Sequence, residues 1–401
     1  MKTVLFVGAG RHQRRAILRA RELGLRVVAV DRNPEAVGLA EADESEVVDF
    51  VDVDAVVEVA RRHGVDGVLT VSADRAVPVV AAVAEELGLP GIGRETAHLM
   101  THKVAMRRRL AEGAVPQPQF AAVRARREAG PAADTVGFPA VLKPADSGGQ
   151  RGLFLLGSFD DLDRHLHAAI AESPTGEAIL ERFTDGLELN GLVVARGSEP
   201  HLLLLSDRLR PAGDGFGVGW IHSYPSRLFG DPLAEARRVA LRSVRTLGLR
   251  DGIAFPQLIV RDNEALVVEV AARIPGGQMA DLAQHALGID LVEIALLQAL
   301  GEDVPDDLVV PQRSTPTAIR FLTARPGPLP VGKVKSIGGL DRVLNAPGVV
   351  QADVFLQVGE VIRPVRLDGD RRGYVIATGQ TNVQALELAE NAARMLFVET
   401  E

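Results

Sequence analysis

A lysine placed directly before a glycine-rich loop is the feature that most constrains this chain. The segment GFPAVLKPADSGGQRG spans residues 137–152, and its apolar start predicts a short buried strand that ends at Lys143. Ser147, Gly148 and Gly149 follow, and such small residues let a loop present bare backbone N–H groups to an anion. In a Walker A loop the lysine follows the glycines and precedes a helix, whereas here a second strand follows. The order predicts a flap that binds polyphosphate, although a hairpin with a surface lysine explains this segment alone equally well.

Composition narrows the class of partner. The 401 residues carry a formal net charge of -8, which argues against a general nucleic-acid binder and favours small-molecule partners. The chain has no cysteine, so disulfides, thiolate metal sites and a cysteine nucleophile are excluded. The apolar run 3–7 is too short for a signal peptide, and no later segment offers about 20 uninterrupted apolar residues. We therefore expect a cytoplasmic protein that needs neither a nucleic acid nor a membrane.

The first 95 residues predict a Rossmann-like lobe. Strand, glycine turn, amphipathic helix and strand follow one another up to Asp31, and further α/β units come after it. Gly8 and Gly10 begin a dinucleotide fingerprint, but Gln13 stands where the third glycine belongs. We take the fingerprint as a signal of the fold rather than of a bound dinucleotide.

The remainder predicts α+β structure. Residues 124–135 look loosely structured ahead of the flap, and a single helix is expected over residues 279–300. A glycine-rich loop over residues 211–224 carries the only tryptophan, Trp220, with His222 beside it. Long loops of this kind in compact domains are usually functional or mobile.

A second strand pattern indicates a metal and phosphate site. In VVEVAARIPGG, residues 267–277, Glu269 and Arg273 share one face of a strand because side chains alternate. Glu269 can coordinate Mg²⁺ on phosphate oxygens, and Arg273 can neutralise a transferred phosphoryl group or clamp a carboxylate. A three-residue loop, 262–264, would place Gln257 opposite Glu269 as a second metal ligand, whereas a two-residue loop would turn it to the other face. An ordinary cross-strand ion pair is the plain alternative.

The remaining candidates come from ILERFTDGLELNG, residues 179–191. A strand ends near Glu181 and Phe183, where the backbone could bind the edge of an adenine. Glu188 follows a turn and is placed to accept hydrogen bonds from ribose hydroxyls. A solvated acid at a turn explains Glu188 equally well.

Taken together and in this order, the segments resemble the ATP-grasp superfamily of carboxylate–amine ligases, and most closely its L-amino-acid ligase branch. The match starts at VGAG, VDRNP and SADRAVPVVA, passes through the flap and the later strand segments, and ends at GYVIATGQTNVQALELAENAARML. The resemblance implies an α/β and α+β ATP-grasp fold. Its expected parts are a Rossmann-like pre-ATP-grasp lobe at 1–95, a lobe with the flap at 96–183, a catalytic lobe at 184–305 and a small C-terminal lobe at 306–401.

The resemblance also implies a role for each candidate, with Lys143 and Arg273 as catalytic groups. The implied nucleotide contacts are Lys103 and Lys143 on the α and β phosphates, Ser147, Gly148 and Gly149 over the β and γ phosphates, Glu181 and Phe183 at the adenine, and Glu188 at the ribose. The implied metal ligands are Gln257 and Glu269, and Arg273 faces the acyl phosphate. Trp220, His222, Gly276 and Gly277 are the further candidates for the substrate pocket, although a surface-loop histidine would explain His222 too.

Three positions depart from the family pattern. Gln257 stands where a glutamate is usual, and Ala271 stands where an asparagine is frequent. One negative charge fewer at the metal predicts weaker or single Mg²⁺ binding. His102 replaces the usual aspartate before Lys103.

The implied function is an ATP-dependent ligase that forms an amide or peptide bond through an acyl phosphate, releases ADP and phosphate, and takes an amino acid as a substrate. Its cofactors would be ATP and one or two Mg²⁺ ions, which Mn²⁺ can replace. Two alternatives stay open, a purine-synthesis type of enzyme that uses formate or bicarbonate, and an ATP-binding protein without turnover. A roomy pocket at Trp220, His222 and Tyr224 would favour an organic substrate, and a small basic pocket would favour formate or bicarbonate. A homodimer is usual in the family, although no segment of the sequence indicates an interface.

Overall fold

The computed structural model describes residues 1–210 and 216–401. The N-terminal lobe is a parallel sheet of strand order β3-β2-β1-β4 covered by helices. The first strand is buried along its whole length, as an apolar run in a parallel sheet with covered faces must be. The elements are β1 (Thr3–Val7), α1 (Arg11–Glu22), β2 (Arg26–Asp31), β3 (Glu44–Val47), α2 (Val53–His63), β4 (Gly67–Leu69) and α3 (Val77–Leu87).

The flap belongs to a second, four-stranded antiparallel sheet of order β5-β8-β6-β7. Two helices lead into it, α4 (Arg94–Leu99) and α5 (Lys103–Glu112). The lobe comprises β5 (Phe120–Val123), α6 (Ala129–Val136), β6 (Ala140–Pro144), β7 (Phe154–Leu156), α7 (Phe159–Ala171) and β8 (Ala178–Arg182). The loosely structured segment expected over residues 124–135 is wrong, because Ala129, Ala132 and Val136 lie at helical spacing and pack into the core of this lobe.

The third part of the chain builds most of a large sheet. Its elements are β9 (Leu187–Arg196), β10 (Glu199–Leu209), β11 (Ile221–Tyr224), α8 (Gly230–Thr246), β12 (Gly252–Arg261), β13 (Glu264–Ala271), α9 (Met279–Leu287), α10 (Leu291–Ala299) and α11 (Asp306–Val309). The single helix expected over residues 279–300 is wrong. Gly288 ends α9 in the left-handed conformation with φ 78°, and the Asp290 side chain caps the start of α10.

The C-terminal part extends the same sheet. The order β13-β12-β9-β10-β11-β14-β18-β16 crosses the boundary expected at residue 305, so this lobe shares a sheet with the catalytic lobe. A smaller sheet has the order β17-β15-β19. The elements are β14 (Thr317–Phe321), β15 (Gly332–Gly338), α12 (Leu340–Leu344), β16 (Val349–Val354), β17 (Val361–Ile362), β18 (Gly373–Thr378), α13 (Asn382–Ala393) and β19 (Phe397–Thr400). In the described ranges, no helix combines the length and the apolar character needed to cross a membrane.

Candidate active site

The flap sheet faces the large sheet across a cleft. A cavity of about 130 Å³ lies between them and is lined by ten of the predicted residues. These are Lys103, Lys143, Ser147, Gly148, Gly149, Glu181, Phe183, Glu188, Gln257 and Glu269. The fold therefore brings together segments that are more than 160 residues apart in the chain, as Lys103 and Glu269 are.

The flap lysine is part of a buried charge network. Lys143 on β6 is 6% exposed, and its Nζ lies 2.8 Å from Glu181 Oε2 on the neighbouring strand β8. The Nε of Arg107 donates to the other oxygen of Glu181 at 2.8 Å. Burial alone would raise the pKa of the Glu181 carboxyl, but Arg107 and Lys143 together lower it to about 2. Burial lowers the pKa of Lys143, and Glu181 acts against that shift.

The second lysine begins α5 and points into the same cavity. Lys103 Nζ donates to the carbonyl oxygen of Ser147 at 2.8 Å and lies 3.2 Å from Glu269 Oε1. His102, in place of the usual aspartate, still caps this helix, because its Nδ1 accepts from the backbone N–H of Ala105 at 3.3 Å. His102 therefore caps the start of α5 although the usual aspartate is absent.

Gln257 lies opposite Glu269, as the three-residue loop would have placed it, but the loop is the two-residue alternative. Strands β12 and β13 are joined by Asp262 and Asn263, which have φ of 49° and 67°. The pairing register then shifts between Gln257 and Leu258, because β13 contains one extra residue, Val268. This β-bulge undoes the one-residue offset of the short turn.

The pair can contribute to a magnesium site. Gln257 Nε2 donates to Asn190 Oδ1 at 3.2 Å, so the amide is oriented with its own oxygen as the remaining acceptor. The Glu269 side chain is 32% exposed and supplies a carboxylate. Over residues 1–210 and 216–401, no group of three histidine or acidic side chains could hold a metal ion by itself. Mg²⁺ usually takes one or two protein ligands and completes its shell with phosphate oxygens and water, and these two residues fit that pattern.

Glu188 is already paired with cations. Its carboxylate accepts from Arg208 and lies 2.6 Å from Arg210 Nε. The Arg210 guanidinium also lies 5.0 Å from the ring centre of Phe216 and 6.0 Å from that of Phe183. The ribose contact of Glu188 stays a prediction, and it would have to coexist with these arginines.

A second cavity of about 530 Å³ adjoins the first and shares Gln257, Glu269, Gly148 and Gly149 with it. Its lining also includes the predicted Arg273, His222, Gly276 and Gly277. Arg273 Nε donates to Asp74 Oδ1 at 2.7 Å. This hydrogen bond connects the segment directly after β13 to the N-terminal lobe. Burial would raise the pKa of Asp74, but Arg273 lowers it.

His222 faces this second cavity as a neutral imidazole. Its Nδ1 lies 3.1 Å from Asn190 Nδ2, and the Asn190 oxygen is engaged by Gln257, so the amide nitrogen is the donor and Nδ1 the acceptor. Burial first, and then Arg371 and Arg208, lower the pKa of His222 well below its usual value. The proton of the neutral ring therefore sits on Nε2, on the side of Gly277.

Trp220 does not join the site. The Arg320 guanidinium lies 4.2 Å from the centre of its ring, and neither cavity of the cleft is lined by Trp220 or Tyr224. As a substrate contact, Trp220 is therefore not supported. Residues 211–215 of the same loop lie outside the described residues.

Sequence reasoning missed several residues in and behind the cleft, of which four make the contacts that organise it. Asn190 is fully buried between Gln257 and His222, and Asp74 holds Arg273. Arg371 lines the second cavity, and Arg107 joins Glu181 to strand β13. None of them stands out in the sequence, since Arg107, for example, is one of three consecutive arginines.

Three models of known protein families match parts of this chain. The model "Carbamoyl-phosphate synthase L chain, ATP binding domain" matches residues 102–306, just over half of the chain. Models of an ATP-grasp N-terminal domain and of an L-amino acid ligase C-terminal domain match residues 18–91 and 320–401. The chain belongs to the ATP-grasp superfamily. As an ATP-grasp protein it is an ATP-dependent, ADP-forming ligase, and the predicted fold, with ATP and Mg²⁺ as cofactors, is confirmed.

Individual relatives of this ATP-grasp protein cover nearly its whole length. The formate-dependent phosphoribosylglycinamide formyltransferase of Ignicoccus hospitalis is 27% identical over 98% of this chain and 95% of its own length. The L-amino acid ligase of Bacillus licheniformis superposes with a TM-score of 0.86 at 18% identity, over 100% of this chain and 99% of that one. The biotin carboxylase domain dimer of Hydrogenobacter thermophilus 2-oxoglutarate carboxylase, in complex with MgADP, ADP and bicarbonate, gives 0.79 at 18% identity, over 99% and 90%.

Proposed function

We propose that this ATP-grasp protein joins a small carboxylate, formate or bicarbonate, to an amine that carries an anionic group such as a phosphate ester. The observation that carries the proposal is the lining of the 530 Å³ cavity beside the metal ligands. A roomy pocket at Trp220, His222 and Tyr224 would have favoured an organic carboxylate, but of these three residues only His222 lines this cavity. Five arginines line it, namely Arg11, Arg208, Arg273, Arg371 and Arg372, together with Phe255, Phe321 and Phe355.

Basic residues outnumber acidic ones on the side of the C-terminal part, where Arg371 and Arg372 lie beside Asp368, and acidic residues outnumber Arg11 on the side of the N-terminal lobe. Arg371 is oriented in advance, because its Nε donates to the carbonyl oxygen of Gly219 at 2.9 Å and its Nη2 lies 2.9 Å from Asp368. Burial lowers the pKa of Arg371, and a bound anion would offset that cost. Asp31, Glu35 and Asp74 of the N-terminal lobe complement an amine. An amine with a distant phosphate would satisfy both sides.

The two cavities meet at the metal ligands, which suits phosphoryl transfer from one to the other. A carboxylate oxygen beside Arg273 would attack the γ-phosphorus and form an acyl phosphate while the bond to ADP breaks. The amine would then attack the carbonyl carbon, lose one proton and displace phosphate. Mg²⁺ at Gln257 and Glu269 would neutralise phosphate oxygens. Lys143 and Arg273 hold positive charge on either side of the transferred group, and His222 Nε2 can donate to an oxygen of the acyl phosphate.

The relatives support the same choice. The formate-dependent enzyme matches the whole chain, and its name recurs among further matched proteins. A phosphoribosylglycinamide substrate would carry both an amine and a phosphate, which are the groups that the two sides of the cavity complement.

The test is release of ADP and phosphate by the purified protein with Mg·ATP. We expect release that requires formate or bicarbonate together with a phosphorylated amine such as glycinamide ribonucleotide. Lys143→Ala and Glu269→Ala serve as inactive controls. Release with amino acids alone, singly or in pairs, would overturn the choice of a small carboxylate.

A second candidate, a ligase of amino acids, is favoured by one observation. Residues 320–401 match the C-terminal domain of L-amino acid ligases, and this region supplies Arg371 and Arg372 to the substrate cavity. In that case the same arginines would bind an amino-acid carboxylate. The homodimer stays a prediction, which size-exclusion chromatography with light scattering would test.

A further inference from the structure

Arg107 is the most deeply buried charged side chain of the cleft. It is 1% exposed and lies on α5 one helical turn after Lys103, so both side chains lie on the same face of the helix. Neither cavity of the cleft is lined by Arg107. Its role must therefore run through the groups that it contacts.

The contacts of Arg107 converge on the bulged strand. Its Nη1 donates to the carbonyl oxygen of Val267 at 2.6 Å, and its Nη2 donates to that of Val268 at 2.7 Å. Val268 is the extra residue of the β-bulge, and Glu269 follows it directly. β13 is an edge strand, and the Val267 N–H donates to the Pro116 carbonyl oxygen, so the Val267 carbonyl group also faces away from β12. The bulge interrupts the ladder at Val268, and buried carbonyl groups outside a ladder need another donor. The planar fork of an arginine can serve two such oxygens at once.

The same guanidinium reaches the flap. Its Nε donates to Glu181 Oε1 at 2.8 Å, and the other oxygen of Glu181 binds Lys143. One side chain thus joins the helix of Lys103, the strand of Glu181 and the strand of Glu269. Without the bulge, the two-residue turn would put Val268 opposite Gln257 and would move Glu269 out of the pair.

We propose that Arg107 is a positioning residue that holds the β13 bulge and thereby sets Glu269 opposite Gln257 for the metal ion. It acts through the backbone of Val267 and Val268 and touches neither nucleotide nor metal. The proposal rests on the proposed function in so far as Gln257 and Glu269 bind the metal of the nucleotide complex. It goes beyond that function because it assigns the geometry of the metal pair to a residue on another lobe.

The test separates the metal from the nucleotide. Arg107→Lys keeps a positive charge for Glu181 but has one nitrogen in place of the three that bind Glu181, Val267 and Val268, whereas Arg107→Met loses both the charge and the hydrogen bonds. ADP affinity is measured by calorimetry in EDTA, and Mn²⁺ affinity of the ADP complex is measured by the electron paramagnetic resonance of free Mn²⁺. We expect Arg107→Lys to bind ADP within about twofold of the wild type and Mn²⁺ about 10-fold more weakly, as is typical when a residue that orients a metal ligand is lost. Arg107→Met should weaken both.

Arg109→Lys is the matched control, since Arg109 lies on the same helix and pairs only at the surface with Glu95 and Glu112. It should change neither affinity. Wild-type Mn²⁺ affinity in Arg107→Lys would overturn the proposal, and so would equal losses of ADP and Mn²⁺ in that variant. A wild-type protein that binds neither ligand would instead overturn the proposed function, and this inference with it.

A variant that leaves Arg107 in place, Gln117→Ala, tests the proposal if Arg107→Lys does not fold. Gln117 Nε2 donates to the Arg107 carbonyl oxygen at 2.8 Å, and its Oε1 lies 3.4 Å from Arg107 Nη1. Gln117→Ala loosens the guanidinium without removing it. We expect a smaller loss of Mn²⁺ affinity, about threefold, together with faster amide exchange over residues 266–270. Unchanged exchange and unchanged affinity would contradict the proposal.

Discussion

The two hairpins that face the cleft, β6–β7 with Lys143 and β12–β13 with Glu269, differ in how completely their charges are paired. Lys143 is 6% exposed and shares Glu181 with Arg107. The Glu269 side chain is 32% exposed, lies 3.2 Å from the single cation Lys103, and has the neutral Gln257 across the strands. Under the proposed function, the side of the cleft that binds the anion would be built in advance, and the side that binds the metal would be completed by phosphate oxygens.

Replacing the flap cation should have the largest effect. Lys143→Met removes the ammonium group expected on the phosphates, so we expect kcat/KM for ATP to fall about 10³-fold, as when a preorganised charge is lost from an active site. ADP release measures it. Lys333→Met is the control, because that side chain is 57% exposed beside Glu401. A loss below tenfold would mean that the flap does not provide the principal phosphate contact.

The next effect concerns stability and its pH dependence. Glu181→Gln leaves Lys143 and Arg107 without their shared carboxylate, and breaking such a buried pair costs about 3 kcal/mol at pH 7. The folded pKa of Glu181, about 2, lies below the usual 4.5, so its stabilisation is complete above pH 4.5 and is lost as the pH falls from 4.5 towards 2. The difference in the free energy of unfolding between the wild type and Glu181→Gln should therefore shrink by about 1 kcal/mol between pH 7 and pH 3.5. Urea unfolding at both pH values checks this, and a deficit independent of pH would contradict the assignment.

Replacing Gln257 by glutamate adds the negative charge that the family pattern usually has beside Glu269. Gln257→Glu should lower the Mg²⁺ concentration for half-maximal activity about 10-fold, because a second carboxylate strengthens a hard cation site. Mg²⁺ titrations of ADP release compare the variant with the wild type. Gln380→Glu adds the same charge at an exposed position and should leave the titration unchanged. Identical curves for Gln257→Glu and the wild type would count against the metal pair.

The smallest expected effect tests how closely the flap approaches the N-terminal lobe. A Cβ at Gly148 would lie 2.8 Å from Asp74 Oδ2, so Gly148→Ala must push the flap or the carboxylate aside. We expect the KM for ATP to rise about fivefold, which corresponds to about 1 kcal/mol of overpacking. Gly130→Ala, where a Cβ has no neighbour within 4 Å, is the control. An unchanged KM would show that the flap closes without this contact.

The two hairpins also differ in how far the sequence predicted them. Lys143 follows from local rules, since a short apolar strand, a proline and a glycine loop leave few conformations. The sequence leaves two loop lengths open, of which only the three-residue loop predicts the pairing of Gln257 with Glu269, and the pairing occurs through a two-residue turn and a bulge. A bulge has no reliable sequence signature, so the sequence does not show that the shorter turn can pair these residues.

The aromatic loop shows where sequence reasoning fails. Trp220 and His222 are two residues apart, and both were expected at the substrate. His222 lines the second cavity, but the Trp220 ring lies against Arg320. Residues two apart share a face only when both belong to one regular strand. Strand β11 begins at Ile221, so Trp220 lies before it and is not held on the same face as His222.

The sequence by itself determined the superfamily, and it predicted two lysines, Lys103 and Lys143, that line the cavity between the two sheets, because these depend on segments of a few residues with local patterns. Tertiary structure alone decided that Arg107 binds Glu181 and Val267, which are 74 and 160 residues away, that Asp74 holds Arg273 and that the large sheet continues into the C-terminal part. The physical reason is that the partner of a buried charge is chosen by whichever chain segment packs against it. Neighbouring arginines with the same local sequence can therefore lie in the centre of the cleft or at the surface.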